Sequence, residues 1–298
     1  MRVPAANVRS ADFNYITGFE QQDILKIHWY ESRPKGQIER KAMNKVENKS
    51  GLKEAAILFE GWQEGIIWSC LQGIMGEICV EEGENPESAA AHLGDFCFLA
   101  GEPDRELVED IYMKWGQKFL IAVPQNEGWG RLIEEVCGNG AEQITRHAIK
   151  KEPDVFDLEK LRNAAASLPE GFTLQIIDKE IYSLCQREEW SRDLVSQYPD
   201  YESYSRLGTG VAVMAGRELA AGASSYATFQ DGIEVEVDTK RKYRRQGLAY
   251  ACSAKLILEC LEKNIYPCWD AHNRSSAALA EKLGYHYDRE YSAYILRA

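Results

Sequence analysis

Three observations predict an α/β (α+β) chain whose second half is a mixed, mostly antiparallel sheet flanked by helices. The first is the strict alternation of Gly232-Ile233-Glu234-Val235-Glu236-Val237-Asp238-Thr239. Its Ile and Val positions face one way and its carboxylates the other, as in a half-buried strand. The second is the basic turn that follows, Lys240-Arg241-Lys242-Tyr243-Arg244-Arg245-Gln246-Gly247. The third is the recurrence of Leu248, Cys252, Leu256 and Cys260, with Ile257 and Leu261 beside them, which lays one face of a helix on the sheet.

The neighbouring segments complete the sheet. Residues 211–214 and 223–228 read as two further strands, joined to the alternating one through the hairpin signal Asp231-Gly232. Residues 156–166 predict a helix, 172–177 a strand and 265–271 another strand. Asn273 or Ser275 suits a helix N-cap, and Gly284 the position just past that helix's end. Around residues 148–154 the pattern turns polar and meets a proline, which sets two domains, 1–149 and 150–298.

The chain has 298 residues, enough for two domains with hydrophobic cores of their own. Its formal net charge of -12 argues against a duplex nucleic-acid partner, so the five basic residues between Lys240 and Arg245 form an island. That balance suits a cationic amine substrate, or plain solubility. Cys70, Cys79, Cys97, Cys137, Cys185, Cys252, Cys260 and Cys268 contain no Cys-x-x-Cys pair and fall mostly in apolar stretches, as reduced, buried thiols do. No apolar leader opens the sequence, and Gln72 and Glu77 interrupt its most apolar long stretch, residues 65–80. A cytoplasmic protein without a membrane partner is expected. His28, His92, His147 and His286 share no spacing with other ligand types, so no metal site is expected.

The basic turn opens a helix, where unpaired backbone N–H groups and the helix dipole together attract an anion. Arg244, Arg245 and Lys242 can add charge from the side. With Arg244, Gly247 and Ala249 in its defining places, the stretch resembles the Arg/Gln-x-x-Gly-x-Gly/Ala loop of the GNAT N-acetyltransferase superfamily. Asn273-Arg274-Ser275-Ser276-Ala277-Ala278-Leu279-Ala280-Glu281-Lys282-Leu283-Gly284-Tyr285 resembles the signature that closes many GNAT domains. The resemblance implies the GNAT fold and acetyl-coenzyme A as acyl donor. It puts the donor's diphosphate on Arg244, Arg245, Gln246, Gly247, Leu248 and Ala249, and its pantetheine arm along Val237 and Thr239. Asn273 and Ser276 are further expected contacts. Ala280 departs from the pattern: many relatives carry there a tyrosine proposed to protonate the departing thiolate.

Acyl transfer to an amine also needs a proton acceptor. Glu234 and Glu236 are the candidates, Glu234 first because it lies farther from the diphosphate end; both could instead be solvated residues on an open sheet face, or bind substrate without taking a proton. Trp269, Asp270 and His272 sit on the adjacent strand. His272 is either a titrating group or a hydrogen-bonding surface residue, and Asp270 is expected to order the turn into the last helix. Tyr198, Tyr201 and Tyr204 either line the acceptor site or anchor their segment on the sheet edge.

The first half alternates short apolar runs with glycines over residues 55–80 and 94–100. Residues 24–30 form an amphipathic piece, and 40–53 a basic, solvated helix or loop. A buried strand over 118–124, the loop Gln125-Asn126-Glu127-Gly128-Trp129-Gly130 and a helix over 131–136 echo the second half. They suggest a tandem of two GNAT-like domains, the first degenerate. Gln125-x-x-Gly128-x-Gly130 satisfies the cradle pattern literally. Glu127, the bulky Trp129 and the missing arginine argue that it holds no second coenzyme A, and that this half covers one side of the acceptor cleft.

The expected protein is a bacterial-type acetyltransferase that moves an acetyl group from acetyl-coenzyme A to a primary amine of a small molecule. Alternatives are a non-catalytic acyl-coenzyme A binder or regulator, and an enzyme acting on a protein amine. The sequence identifies neither the acceptor nor the oligomeric state.

Overall fold

The computed structural model describes residues 43–81, 86–116 and 119–297. The amphipathic piece at 24–30 and His28 lie outside them. The described chain divides into two compact units. Thr145–Tyr291 form one; the residues up to Ile144, joined by those from Ser292 onward, form the other.

The N-terminal unit runs β1 (Asn44–Lys45), α1 (Lys49–Leu58), α2 (Gly65–Leu71), β2 (Glu77–Val80), β3 (Ser88–Leu93), β4 (Phe96–Gly101), α3 (Arg105–Lys114), β5 (Leu120–Pro124), α4 (Glu127–Cys137) and the start of β6 (Ala141–Ile149). Strands β1 to β4 are antiparallel neighbours in sequence order, whereas β5 joins β4 in parallel, with α3 as the crossover that parallel pairing needs. Leu107 and Ile111 of α3 and Trp129 and Ile133 of α4 meet Leu99 and Leu120 in one core.

The C-terminal unit takes the end of β6, then α5 (Leu158–Ala165), β7 (Phe172–Ile176), α6 (Lys179–Cys185), α7 (Glu189–Arg192), α8 (Tyr201–Leu207), β8 (Gly210–Ala215), β9 (Glu218–Phe229), β10 (Gly232–Thr239), α9 (Leu248–Glu262), β11 (Tyr266–Cys268), β12 (Asp270–Ala271), α10 (Arg274–Leu283) and most of β13 (Tyr287–Leu296). Its five-stranded sheet has the order β11-β10-β9-β8-β7. The meander β7 to β10 is antiparallel, and β11 pairs with β10 in parallel across α9. Leu248, Cys252, Leu256 and Cys260 all enter the core beneath Ile233, the face that the four-residue period predicts. The chain's last strand leaves this unit: Tyr294, Ile295 and Leu296 pair antiparallel with Ala122, Ile121 and Leu120 of β5.

Three local readings change. The hairpin turn lies at Gln230-Asp231, one residue earlier than Asp231-Gly232, because Gly232 already pairs with Phe229. Its glycine serves packing instead, since a Cβ there would stand 2.4 Å from the Tyr266 carbonyl oxygen. The apolar run at 265–271 splits at Trp269, with β11 paired to β10 and β12 paired to Ala148 and His147 of β6. Glu127 to Gly130 form the first turn of α4 rather than a loop. Asn126 caps that helix by accepting the Trp129 N–H at 3.2 Å, and the fully buried Trp129 ring anchors it.

All eight cysteines are buried free thiols. Among the described residues no helix is long and apolar enough to cross a membrane, and no cluster of His, Cys, Asp or Glu could hold a metal ion.

Candidate active site

The junction from β10 into α9 is built to leave a helix start open. Gly247 caps α9 in the left-handed region (φ 80°) and offers no side chain to the first N–H groups; the first helical bond runs from the Ala251 N–H to the Gly247 carbonyl at 3.1 Å. A Cβ at Gly247 would meet nothing within 4 Å, so the space before the helix is clear. Arg245, also at positive φ (66°), is one of the few non-glycine residues in that conformation. Such strain is held by its surroundings and tends to collect at binding sites.

The basic island divides into structural and available charge. Lys240 reaches Glu188 and Glu218 at 2.7 and 2.9 Å, and Lys242 and the Tyr243 hydroxyl both bond Glu218 at 2.7 Å. Hydrogen bonds from Lys242, Lys240 and Tyr243 hold the Glu218 carboxyl down at about 2. Lys242 is therefore engaged in fixing the turn through Glu218. Arg244 donates to the Thr239 carbonyl at 3.0 Å and lies 3.6 Å from Asp238, with its side chain 59% exposed. Arg244, Arg245 and Arg241 are all exposed at the mouth of the helix.

Next to this cradle the sheet opens. Parallel pairing between β10 and β11 is confined to Gly232, Ile233 and Glu234, opposite Tyr266, Pro267 and Cys268. From Val235 to Thr239 β10 is paired to β9 alone, past a bulge at Glu234/Val235. Val237 and Thr239 thus lie on the split half of the strand. Val235 and Val237 pack toward the core beneath α9, so Glu234, Glu236 and Asp238 alternate onto the other face.

The two glutamates differ in setting. Glu234 is buried at the last paired rung, 6% exposed. Glu236 lies on the split half and is less enclosed. Burial, then the like charges of Asp193 and Asp238, push its carboxyl up to about 7, against the opposing pull of Arg146 and the Val237 N–H. Asp238 is raised too, by burial first, although it accepts the Thr239 N–H at 2.6 Å. A carboxyl that titrates near neutrality can take a proton from an ammonium and release it again.

Arg146 on β6 is 6% exposed and forms an ion pair with Asp270, whose other oxygen accepts the Tyr291 hydroxyl at 2.6 Å. Asp270 therefore partners a buried guanidinium rather than ordering the turn. That turn is ordered by Asn273, which caps α10 by accepting the Ser276 N–H at 2.9 Å and lies 2.7 Å from the His272 ring. Ser276 accepts the Trp269 indole N–H at 3.1 Å. Burial and then Arg146 lower the pKa of His272. Ala280 is fully buried and carries no proton to give.

Tyr198 and Tyr204 do not line a cleft. Both are 2% exposed; Tyr198 bonds Ser225 and Thr228 at 2.7 and 2.8 Å, and Tyr204 bonds Ser224 at 2.9 Å. Tyr201 packs edge-on against Tyr182 at 5.6 Å. The anchoring alternative holds for the two buried rings. Sequence reasoning passed over Arg146, Asp193 and Asp238 as parts of the site. Asp238 was readable as the third carboxylate of the alternation, whereas Arg146 and Asp193 are brought in from distant segments and carry no local signal.

The C-terminal unit thus sets a strand that splits from its parallel neighbour beside an uncapped helix start. The family model described as GNAT acetyltransferase matches residues 56–294, and the chain belongs to that family. It is 29% identical over 213 residues to an uncharacterized N-acetyltransferase, YdfB, of Bacillus subtilis (strain 168), covering 66% of this chain and 76% of that one. It is 47% identical to a GCN5-related N-acetyltransferase-like protein from Streptococcus suis 89/1591, whose crystal structure it matches with a TM-score of 0.79 over 83% of this chain and 99% of that one. A tandem GNAT protein from the clavulanic acid biosynthesis pathway shares the fold at 11% identity, with a TM-score of 0.52 over 85% of this chain and 97% of that one.

Proposed function

We propose that the C-terminal unit binds acetyl-coenzyme A and transfers its acetyl group to a primary amine of a small cationic molecule. The observation that carries this reading is the pairing of an uncapped helix start at Gly247 with a split β10 that ends in Asp238 and Thr239. The helix start suits the donor's diphosphate. The unpaired edge of β10 suits an extended arm that bonds as an added strand, through Val237 and Thr239. Asn273 and Ser276, at the neighbouring turn, complete the expected contacts.

The reaction asks little more of the chain. The amine nitrogen bonds to the acyl carbon, the carbon–sulfur bond breaks, and one proton must leave the amine while the thiolate gains one. Glu236 is our choice as acceptor of the amine proton because it lies on the split half of the strand and titrates near neutrality. Glu234 is the alternative. The acidic surroundings, Asp193, Glu236 and Asp238, favour an ammonium over a neutral or acidic acceptor. With Ala280 in place of a hydroxyl donor, the thiolate is protonated by water or another group, and a purely coenzyme A-binding role is the second reading.

Glu236→Gln separates these cases. If Glu236 is the base, thiol release with a panel of amines should fall by about 10²–10⁴-fold while coenzyme A affinity is retained. Unchanged turnover with an unshifted pH profile would pass the role to Glu234 or water. Thiol release from no amine in the wild type, despite coenzyme A binding, would favour the second reading.

A further inference from the structure

Of the five cations between Lys240 and Arg245, two are held by one carboxylate, Glu218, the first residue of β9. Its Oε1 takes the Lys240 ammonium at 2.9 Å, and its Oε2 takes the Lys242 ammonium and the Tyr243 hydroxyl, both at 2.7 Å. Glu188, just before α7, also bonds Lys240 at 2.7 Å and accepts the Trp190 indole N–H at 3.0 Å. The donors all come from the turn at 240–243 and the acceptors from two other segments. The turn is therefore clasped from outside.

Backbone and ring contacts pin the same turn. The Lys240 N–H donates to the Ala220 carbonyl at 2.9 Å and the Tyr243 N–H to the Lys240 carbonyl at 2.8 Å, while the Tyr243 ring meets Phe172 of β7 edge-on at 5.5 Å. Arg244, Arg245 and Gly247 follow at once, the last two at positive φ. A loop that holds such a shape before its ligand arrives has less ordering left to do on binding. Against this stands Coulomb's law, since a carboxylate beside an anion site repels the anion. Here that repulsion is weak, because two ammoniums offset the Glu218 charge and its side chain is 34% exposed to water. The ordering of Lys240, Lys242, Tyr243 and the turn between them is the larger effect.

We propose that Glu218, with Glu188 beside it, is a positioning residue for the donor's diphosphate: it holds the 240–243 turn in the shape that presents Arg244, Arg245 and the Gly247 helix start to the anion. The assignment rests on the reading of the Gly247 junction as the diphosphate cradle. It gives the hairpin between β8 and β9 a part in donor binding without contact with the donor.

Calorimetry on the full chain with coenzyme A, across a sodium chloride series, tests it. Glu218→Gln removes a negative charge, so charge alone predicts tighter binding, most of all at low salt. Positioning predicts the reverse, an affinity about three- to tenfold lower at every salt concentration. The amides of residues 241–247 should also exchange faster than in the wild type when no ligand is present. Tyr243→Phe keeps every charge and the ring on Phe172, so it serves where the first variant fails to fold; it should weaken coenzyme A by about two- to threefold. Equal or tighter binding by Glu218→Gln, or wild-type affinity in Tyr243→Phe, would overturn the positioning role and leave the cradle standing. If the wild type binds no coenzyme A while staying folded, the cradle and the clasp fall together.

Discussion

The two units run through the same order of elements, an antiparallel meander, a crossover helix, a parallel strand and a second helix, yet their crossover helices begin in opposite ways. In the N-terminal unit β4 passes into α3 through Gly101 and Pro103, and Asp104 caps the helix, accepting the Leu107 N–H at 2.6 Å. In the C-terminal unit β10 passes into α9 through a cap, Gly247, that has no side chain. The first helix start is filled by the protein's own carboxylate. The second leaves its first N–H groups without a side-chain partner, as the proposed diphosphate site requires.

The wedge beside each junction differs in the same sense. The Gln125 side chain accepts the Gly101 N–H at 2.9 Å and donates to the Leu58 carbonyl at 2.8 Å, stitching the N-terminal opening shut. The Trp129 indole donates to the Gly101 carbonyl at 3.0 Å. A Cβ at Gly101 would stand 2.0 Å from the Glu87 carbonyl oxygen, so that side of the backbone is already occupied by the protein. By contrast β10 is open from Val235 onward on its β11 side. We propose on this basis that the N-terminal unit is a degenerate copy that binds no donor, and that one coenzyme A binds per chain.

The largest expected effect falls on Gly247. A valine there must adopt a φ of 80° that β-branched residues avoid, which costs about 1–3 kcal/mol of stability, and it moves a methyl group into the anion's approach. Losing two or more charge-assisted contacts predicts a fall in coenzyme A affinity of about 100-fold or more. Calorimetry on full-length Gly247→Val should show no residual site. A remaining site of undiminished affinity would mean that the N-terminal junction, from Gly101 to the Asp104 cap of α3, binds after all.

Arg244→Ala should have a smaller effect. Its guanidinium is shared between the Thr239 carbonyl and Asp238, so its contact with a phosphate is worth the lower end of the usual range, about 1.5 kcal/mol or roughly tenfold in affinity. Sodium chloride titration provides the check, because a lost phosphate contact should flatten the salt dependence of binding. An unchanged affinity and salt slope would leave Arg241 and Arg245 as the charges that matter.

The sequence shows the open junction far better than the closed one. Strand Gly232–Thr239, the glycine and the apolar period of α9 are local signals, and each survives folding because nothing distant has to override it. The N-terminal cradle pattern misled for a physical reason. Gly128 and Gly130 suggest a loop, but Gly128 lies tight against Pro103 and Gly130 against Tyr294, so they are small for packing within a helix. The true counterpart of Asn126 is Asn273, since each caps the helix after the parallel strand by accepting the N–H three residues on. The echo heard in the sequence was of that second helix. Arg146 and Asp193 were illegible because their role is to set the charge balance around Glu236 from far along the chain.

That charge balance gives a third, pH-dependent test. If Glu236 is the base, it must be ionised to accept a proton, so kcat/KM should fall on the acid side of about 7. Asp193→Asn removes a like charge that raises the Glu236 carboxyl, so its pKa should drop and the acid limb should move to lower pH. Activity below neutrality then rises relative to wild type, by a few-fold at most. A pH–rate profile of the two proteins decides it, and a limb that stays in place would point to Glu234 as the base.

The smallest effect is expected at the closed junction. Asp104→Ala removes the carboxylate that caps α3 and should cost about 1 kcal/mol of stability, seen as a lower denaturant midpoint for the N-terminal unit. If the cap alone kept a donor out, the variant should gain a weak second coenzyme A site. The geometry predicts that it does not, because the Gln125 bridge and the Trp129–Gly101 bond still close the wedge when the carboxylate is gone. A second site in Asp104→Ala would therefore show that the two units differ by one side chain. A stoichiometry that stays at one would place the difference in the whole packed surround of Gly101.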